Sequence, residues 1–282
     1  PGGCGLMQAA PTMVLGADVY HAPPGSDRAS YAAIIGSMDR WLASYHTTLS
    51  AQPSRVEVID EMESMMVEQL RRFWELNGQL APRRIIFYRD GVGNSQFDII
   101  RKRELLAIRR ACAAVGGPNY QPKLVFLIVQ KRTHARLFAP MPQGDGSERI
   151  GNAPPGTVVD SHITTVSRFD FYMTSHFGLK GTSKPTHYHV LCDDVGLTPD
   201  EIHRFTYDLC HLYCRCTKII SGPAPCHYAH LAAYNAHYNA PDFHEDDAWG
   251  ARAAAPKPLG PKQGEQATLP VLPHVLDRLY FA

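Results

Sequence analysis

Apolar residues along this chain follow two rhythms. Met13 to Val19 (MVLGADV), Arg84 to Tyr88 (RIIFY) and Lys123 to Val129 (KLVFLIV) are short, nearly unbroken apolar runs, the pattern of strands buried on both faces. Tyr31 to Met38 (YAAIIGSM) follows a Pro-Pro-Gly turn at Pro23 to Gly25 and predicts a hairpin partner for the first strand. Phe169 to Thr174 and His187 to Cys192 read as two further strands. Between them apolar residues recur at helical spacing. Ile59, Met62, Met66, Leu70 and Phe73 predict a helix over Val56 to Leu76. Ser95 to Val115, Pro199 to Cys214 and Pro225 to Tyr238 read as helices too, the last opening on a Pro, a favoured first-turn residue. Strand–helix alternation behind an opening hairpin specifies an α/β sheet covered by helices. Two segments carry neither rhythm. Ala139 to Asn152 predicts a loop, and Asn239 to Pro270, rich in Ala, Pro, Gly and charge, predicts a disordered excursion. The apolar end, Val275 to Ala282, is expected to tuck back onto the domain.

Composition narrows the class. Hydrophobic residues make up 44% and charged residues 20%, which argues against disorder across the whole chain. The 282 residues suffice for one large domain or two small ones. No run approaches the roughly 20 apolar residues of a membrane-spanning helix, and PGGCGLMQAA lacks the basic and apolar regions of a secretory signal. Lys and Arg number 28 against 27 Asp and Glu. That balance excludes a polycationic tail but not a local basic groove. Cys192, Cys210, Cys214 and Cys216 lie close together, yet no CxxC pair occurs among the 7 Cys. Reduced, mostly buried thiols in a cytosolic or nuclear protein are therefore expected in place of a zinc site.

Chemistry enters at the strand ends. Asp18 and Asp90 each close a buried strand, and ligands of open α/β sheets bind outside the carboxyl ends of the strands. Two neighbouring carboxylates repel unless a cation lies between them, and a hard divalent ion with oxygen ligands resolves that. The same residues also suit a turn or a helix cap. Basic residues form a second signal. Gln130, Lys131, Arg132, His134 and Arg136 follow one strand; Thr182, Ser183, Lys184, Thr186, His187 and His189 lead into another. Such loops either line a phosphodiester backbone or are simply solvated. Arg101, Lys102 and Arg103 read as the solvated face of a helix.

The order of motifs adds a resemblance. PTMVLGADVYHAPPG, RIIFYRDGVGNSQF, LVFLIVQKRTHARLF, GTSKPTHYHVLCDD and PAPCHYAHLAAYNAHY occur in that order, and the chain ends in LYFA. The series closely resembles the PIWI domain of eukaryotic Argonaute proteins. It implies an RNase H-like mixed β-sheet flanked by helices over residues 11–282, behind a short linker at 1–10. The resemblance further implies a domain of a guide-directed silencing protein that holds a guide–target duplex and cleaves the target RNA with two Mg²⁺ or Mn²⁺ ions. Its tetrad falls on Asp18 in GAD, Asp90 in RDG and His230 in YAH, all three implied metal ligands. Counting without a gap from GSMD places the remaining glutamate on Glu57, with Glu61 and Glu63 as neighbouring alternatives. Guide-backbone contacts carry over to Lys131, Arg132, His134 and Arg136, with Lys184, Arg215 and Ser221 in support. The side of the guide 5′ phosphate carries over to Asn235, His237 and Ala282. Asn235 stands where the family often has Arg, and Tyr20 where many members have a small polar residue. The implied partners are a small guide RNA, its complementary target, MID, PAZ and N-terminal regions of a longer parent protein, and a tryptophan-bearing silencing partner, in a cytoplasmic or nuclear setting. The alternative implied function is a non-cleaving small-RNA-binding scaffold that silences through partner proteins.

Overall fold

The apolar runs become the centre of one sheet. The computed structural model describes residues 5–26, 28–142, 148–178 and 180–240. After a short helix α1 (Gly5–Ala9) come β1 (Thr12–Tyr20), β2 (Ser30–Ser37), β3 (Tyr45–Gln52), α2 (Met62–Leu76) and β4 (Arg84–Asp90). A helical stretch then runs through a 3₁₀ turn (Asn94–Gln96), α3 (Phe97–Ile100), a π-helical turn (Arg101–Leu105) and α4 (Leu106–Gly116). It leads to β5 (Lys123–Gln130), β6 (Phe138–Pro142), β7 (Glu148–Asn152), β8 (Thr157–Val159), β9 (Asp170–Thr174), β10 (Thr186–Asp193), α5 (Pro199–Leu209) and α6 (Ala224–Asn239). The main sheet has the order β3-β2-β1-β4-β5-β10-β9-β8. β1, β4 and β5 are parallel; every other neighbouring pair is antiparallel. This is the mixed sheet flanked by helices that the sequence predicts.

Strand alternation divides the core in two. Met13, Leu15, Ala17 and Val19 of β1 pack with α2 and α4, while Val14, Ile86, Tyr88 and Val125 pack with α5 and α6 on the opposite face. Asp18 and Asp90 share the even parity of Val14, Ile86 and Tyr88, so both side chains belong to the face that α6 covers. Gly16 sets how close that helix comes. A Cβ at Gly16 would lie 2.2 Å from the carbonyl carbon of Pro225, so only glycine admits the helix at this depth. Small buried residues on α6 (Ala229, Ala232, Ala233, Ala236) continue the close approach.

Several expected boundaries move, each for a local reason. β3, absent from the sequence reading, carries a Thr-rich, partly polar pattern and pairs with β2 at the sheet edge. The helix expected from Val56 begins at Met62. Residues 56–59 stay irregular because side chains take up their backbone groups: Gln52 donates to Val56 O and Val58 O, Arg89 donates to Glu57 O, and Glu104 accepts from Ile59 N. The helix expected over Ser95 to Val115 is interrupted by the π turn, which carries Glu104 fully buried. The loop expected at Ala139 to Asn152 contains the β6–β7 hairpin, hidden because Pro140 and Pro142 occupy a strand that pairs with nothing but its hairpin partner. α5 stops at Leu209, short of Cys214, where Tyr228 Oη accepts from Cys214 N and donates to Leu212 O, tying that segment to α6. Cys112, Cys210 and Cys226 are buried, Cys192 is half-buried, and Cys214 and Cys216 are exposed; none of them is paired. No helix among the described residues is long and apolar enough to cross a membrane. The excursion expected at Asn239 to Pro270 lies beyond Ala240 outside the described residues, as does all of Val275 to Ala282.

Candidate active site at the ends of β1 and β4

β1 and β4 run parallel with Ala17 opposite Arg89, so the next residues, Asp18 and Asp90, emerge side by side at the carboxyl end of the sheet. Both are only 6% exposed. One oxygen of each is fixed by the following backbone: Asp18 Oδ1 accepts from Val19 N at 2.9 Å, and Asp90 Oδ1 from Gly91 N at 2.9 Å. The other oxygens face cationic or titratable partners. His230 Nδ1 lies 2.8 Å from Asp18 Oδ2, and Lys131 Nζ lies 2.5 Å from Asp90 Oδ2. Gly91 has φ +87°, and a Cβ there would sit 3.2 Å from Glu57 Oε1 and 3.3 Å from Asp18 Oδ1. The glycine of RDG therefore serves the turn and also keeps open the space onto which two carboxylates face.

Glu57 reaches this space from the irregular segment before α2. Its Oε2 lies 2.8 Å from His21 Nε2, whose Nδ1 is 2.7 Å from Ser30 Oγ. Its Oε1 lies 3.0 Å from Arg89 Nη2, is buried, and has no aligned hydrogen-bond donor. Glu61 and Glu63 are committed elsewhere: Glu61 Oε2 accepts from Ser64 Oγ at 2.7 Å, and Glu63 Oε2 from Arg110 Nε at 2.6 Å. Three supporting residues escaped the sequence reading: His21, Arg89 and Glu104. Arg89 and Glu104 are both fully buried, with Arg89 Nε donating to the two carboxylate oxygens at 3.2 and 3.3 Å. The signal for Arg89 was a charged residue closing an otherwise apolar strand, RIIFYRD; Glu104 gave none, lying among the solvated cations of RKREL.

Charge in this corner is unbalanced. Asp18, Glu57, Asp90 and Glu104 bring four carboxylates, against the two permanent cations Arg89 and Lys131. Burial opposes the charge on Arg89, but Glu104, then Glu57 and Asp18, outweigh it and raise its pKa. Burial likewise opposes the Lys131 ammonium, and Asp90 more than restores it. The hydrogen bond that His230 donates to Asp18, only partly opposed by burial, raises the pKa of His230. A surplus of oxygen donors, one of them buried without a hydrogen bond, plus one imidazole is a donor set that fits a hard divalent cation such as Mg²⁺ or Mn²⁺. Asp18, Asp90, Glu57 and His230 are the residues of this corner that could hold such an ion.

The basic loops leave the sheet beside this corner. Lys131 and Arg136 are half-buried, Arg132 and His134 exposed. Arg136 Nη1 donates to Thr133 O and Ala135 O, bracing the loop, while Lys131 turns inward to Asp90. Lys184 and Arg215 are exposed and Ser221 half-buried, with Ser221 O accepting from Thr186 Oγ1. Asn235 is half-buried on α6. His237 is buried among Tyr20 and Tyr31, and burial, with Arg28, lowers its pKa. Ala282 lies outside the described residues.

A second cluster lies on β9 and β10. The ligand atoms of Asp170, His187 and His189 fall within 4.8 Å of one another. Its hydrogen bonds close on themselves, however. Asp170 Oδ2 pairs with His187 Nε2 at 2.6 Å, Asp170 Oδ1 accepts from Thr165 N at 2.8 Å, and His189 Nε2 lies 3.2 Å from Gln130 Oε1. Burial lowers the pKa of both imidazoles, His189 to about 4 with help from His187.

Comparison with known proteins matches residues 5–240 to the model of a family described as the Piwi domain. Among solved structures, the chain is similar to Kluyveromyces polysporus Argonaute with a guide RNA: 32% identity, TM-score 0.74, covering 82% of this chain and 27% of that one. It is also similar to the C-terminal lobe of a budding yeast Argonaute: 29% identity, TM-score 0.81, covering 98% of this chain and 54% of that one. Drosophila Piwi matches at 28% identity and TM-score 0.65, over 79% of this chain and 29% of its own. The sheet order and flanking helices are thus those of the RNase H-like PIWI fold. The chain spans 27–54% of the length of these three relatives.

Proposed function

Because the chain belongs to the Piwi domain family, we propose that it is the RNA-cleaving domain of a guide-directed silencing protein. One observation carries the reading. Asp18, Glu57, Asp90 and His230, from four separate segments, meet at one corner with more carboxylate than cation. Mg²⁺ or Mn²⁺, as a pair of ions, would supply Lewis acidity there, activating a water and steadying the departing 3′ oxygen of a phosphodiester. Asp18 and Asp90 offer anionic oxygens on both sides of that place, and Glu57 adds a third. His230 ligates only as the neutral imidazole, so the proton that Asp18 favours must leave before it can serve. Lys131, which now pairs with Asp90, would be free to place its ammonium against a phosphate once Asp90 serves a divalent ion. Arg132, His134, Arg136, Lys184, Arg215 and Ser221 extend that contact along a duplex, reading A-form geometry and 2′-hydroxyls in place of base sequence.

A guide RNA is present in the Kluyveromyces polysporus Argonaute structure, and the same ligand class suits this basic face. The substrate is therefore a target RNA paired to a small guide, in the cytoplasm or nucleus. Further regions of a longer parent, of the MID, PAZ and N-terminal kind, complete the guide site, and a tryptophan-bearing protein is a candidate silencing partner. The test extends the chain within its longer parent to the size of the budding yeast C-terminal lobe, of which it matches 54%, loads a 5′-phosphorylated guide and follows cleavage of a complementary RNA. Cleavage should need Mg²⁺ or Mn²⁺ and vanish in Asp90→Ala. A wild type no faster than Asp90→Ala, with duplex binding intact, would instead establish the non-cleaving scaffold.

A further inference from the structure

The segment that carries Glu57 has no regular structure of its own, yet side chains hold several of its backbone groups. Gln52 holds the carbonyls of Val56 and Val58 from the end of β3. From the other side, Arg89 donates to Glu57 O, and Glu104 Oε1 accepts from Ile59 N at 2.9 Å. Arg89 is itself held by Glu104 through Nε, at 3.2 and 3.3 Å, and donates through Nη1 to Asp90 O. One buried carboxylate therefore touches both the far end of the glutamate segment and the guanidinium that grips its middle. Glu104 is presented from the π turn (Arg101–Leu105), an irregularity that places it inside while Arg101, Lys102 and Arg103 stay exposed.

Charge makes the arrangement directional. Arg89 Nη2 lies 3.0 Å from Glu57 Oε1, so an Arg89 without another anion would spend its charge on Glu57. Glu104 draws Nε to itself and so shares the guanidinium with Glu57, whose Oε1, 3.0 Å from Nη2, also faces the space above Gly91. We propose that Glu104 is a positioning residue for the cation-binding corner: it anchors the Glu57–Ile59 segment and neutralises Arg89 so that Glu57 remains available to a divalent ion. The proposal rests on the reading of this corner as a metal-dependent nuclease. Its geometric half stands apart from that reading.

The variant is Glu104→Gln, which keeps the size but removes the charge, weakening both the charge-assisted acceptance from Ile59 N and the hold on Arg89; Glu104→Ala would leave Arg89 buried beside a cavity. Two measurements are made. In the RNA-free chain, amide exchange at Ile59 and its neighbours should accelerate in Glu104→Gln, while the strands β4 and β5 keep their protection. In the guide-loaded, extended protein, the Mg²⁺ concentration for half-maximal cleavage should rise about 10- to 100-fold, the usual cost of losing a residue that orients metal ligands. A purely structural role would lower the folded fraction and leave the metal dependence where it was. Unchanged exchange at Ile59, or reduced cleavage at an unchanged Mg²⁺ midpoint, overturns the proposal. If the wild type fails to cleave at all, the nuclease reading falls, and the exchange measurement alone decides whether Glu104 anchors the segment.

Discussion

Two places in this molecule bring carboxylate and imidazole within reach of each other, and they behave in opposite ways. At the ends of β1 and β4, Asp18 raises the pKa of His230, and carboxylates outnumber permanent cations. On β9 and β10, Asp170 meets two imidazoles whose pKa values burial has lowered. The second cluster has the tighter donor geometry, and by distance alone it is the better trap for an ion. Its lone pairs and protons are nevertheless spent on Thr165, Gln130 and each other. The first corner keeps Glu57 Oε1 buried without a hydrogen bond and relies on Lys131 to balance Asp90. The proposed function therefore ranks unspent negative charge above mere proximity of ligands.

The sharpest way to break this comparison is to remove one carboxylate from each region. Asp90→Ala should lower guide-directed cleavage by at least about a hundred- to a thousandfold, the scale of losing a main electrostatic stabiliser, whereas Asp170→Asn should leave the rate near wild type and cost stability instead. Equal losses in a cleavage assay would erase the distinction. Next in size is ligand-linked stability. Mn²⁺ at a hundred times its dissociation constant should stabilise the chain by about 2.7 kcal/mol, seen as a higher melting temperature. Asp18→Asn should abolish the gain and His189→Gln should not.

Gly16→Ala tests whether the depth of α6 positions His230. The added methyl meets Pro225 backbone at 2.2 Å, so a cost of about 1–3 kcal/mol is expected from denaturant unfolding. Loss of cleavage should accompany it even where the protein remains folded. The smallest effect concerns acid. His189 titrates near 4 when folded against about 6.5 unfolded, so the unfolded chain takes the proton first. Its contribution to stability is complete above about pH 6.5 and is lost as pH falls toward 4. His230 has the opposite sign in the metal-free chain: its contribution is present below about pH 6.5 and fades as pH rises through its raised value. Melting temperatures across pH should therefore show His189→Gln flattening the acid limb and His230→Gln flattening the neutral one.

The parts of the fold that face apolar surroundings on both sides were legible in the sequence. β1, β4 and β5 announce themselves because nothing polar fits there except at their ends, and that exception marks Asp18 and Asp90. What escaped was held by side chain–backbone bonds, which leave no periodic trace. Residues 56–59 look helical by apolar spacing, but their backbone groups are taken by the nearby side chain of Gln52 and by Arg89 and Glu104, which lie far from them in the sequence. β3 is hidden because the residues it buries are largely polar (His46, Thr47, Thr48, Gln52), and the β6–β7 hairpin because Pro140 and Pro142 mask its first strand. His230 gives no periodic signal, being a half-exposed histidine on a helix, and its place beside Asp18 followed from the family motif.

The bond from His230 to Asp18 joins residues 212 positions apart. During synthesis β1 and β4 leave the ribosome before α6, so a growing chain carries its acidic pair before it owns the imidazole. Such an arrangement completes the corner only after every strand of the main sheet has been made.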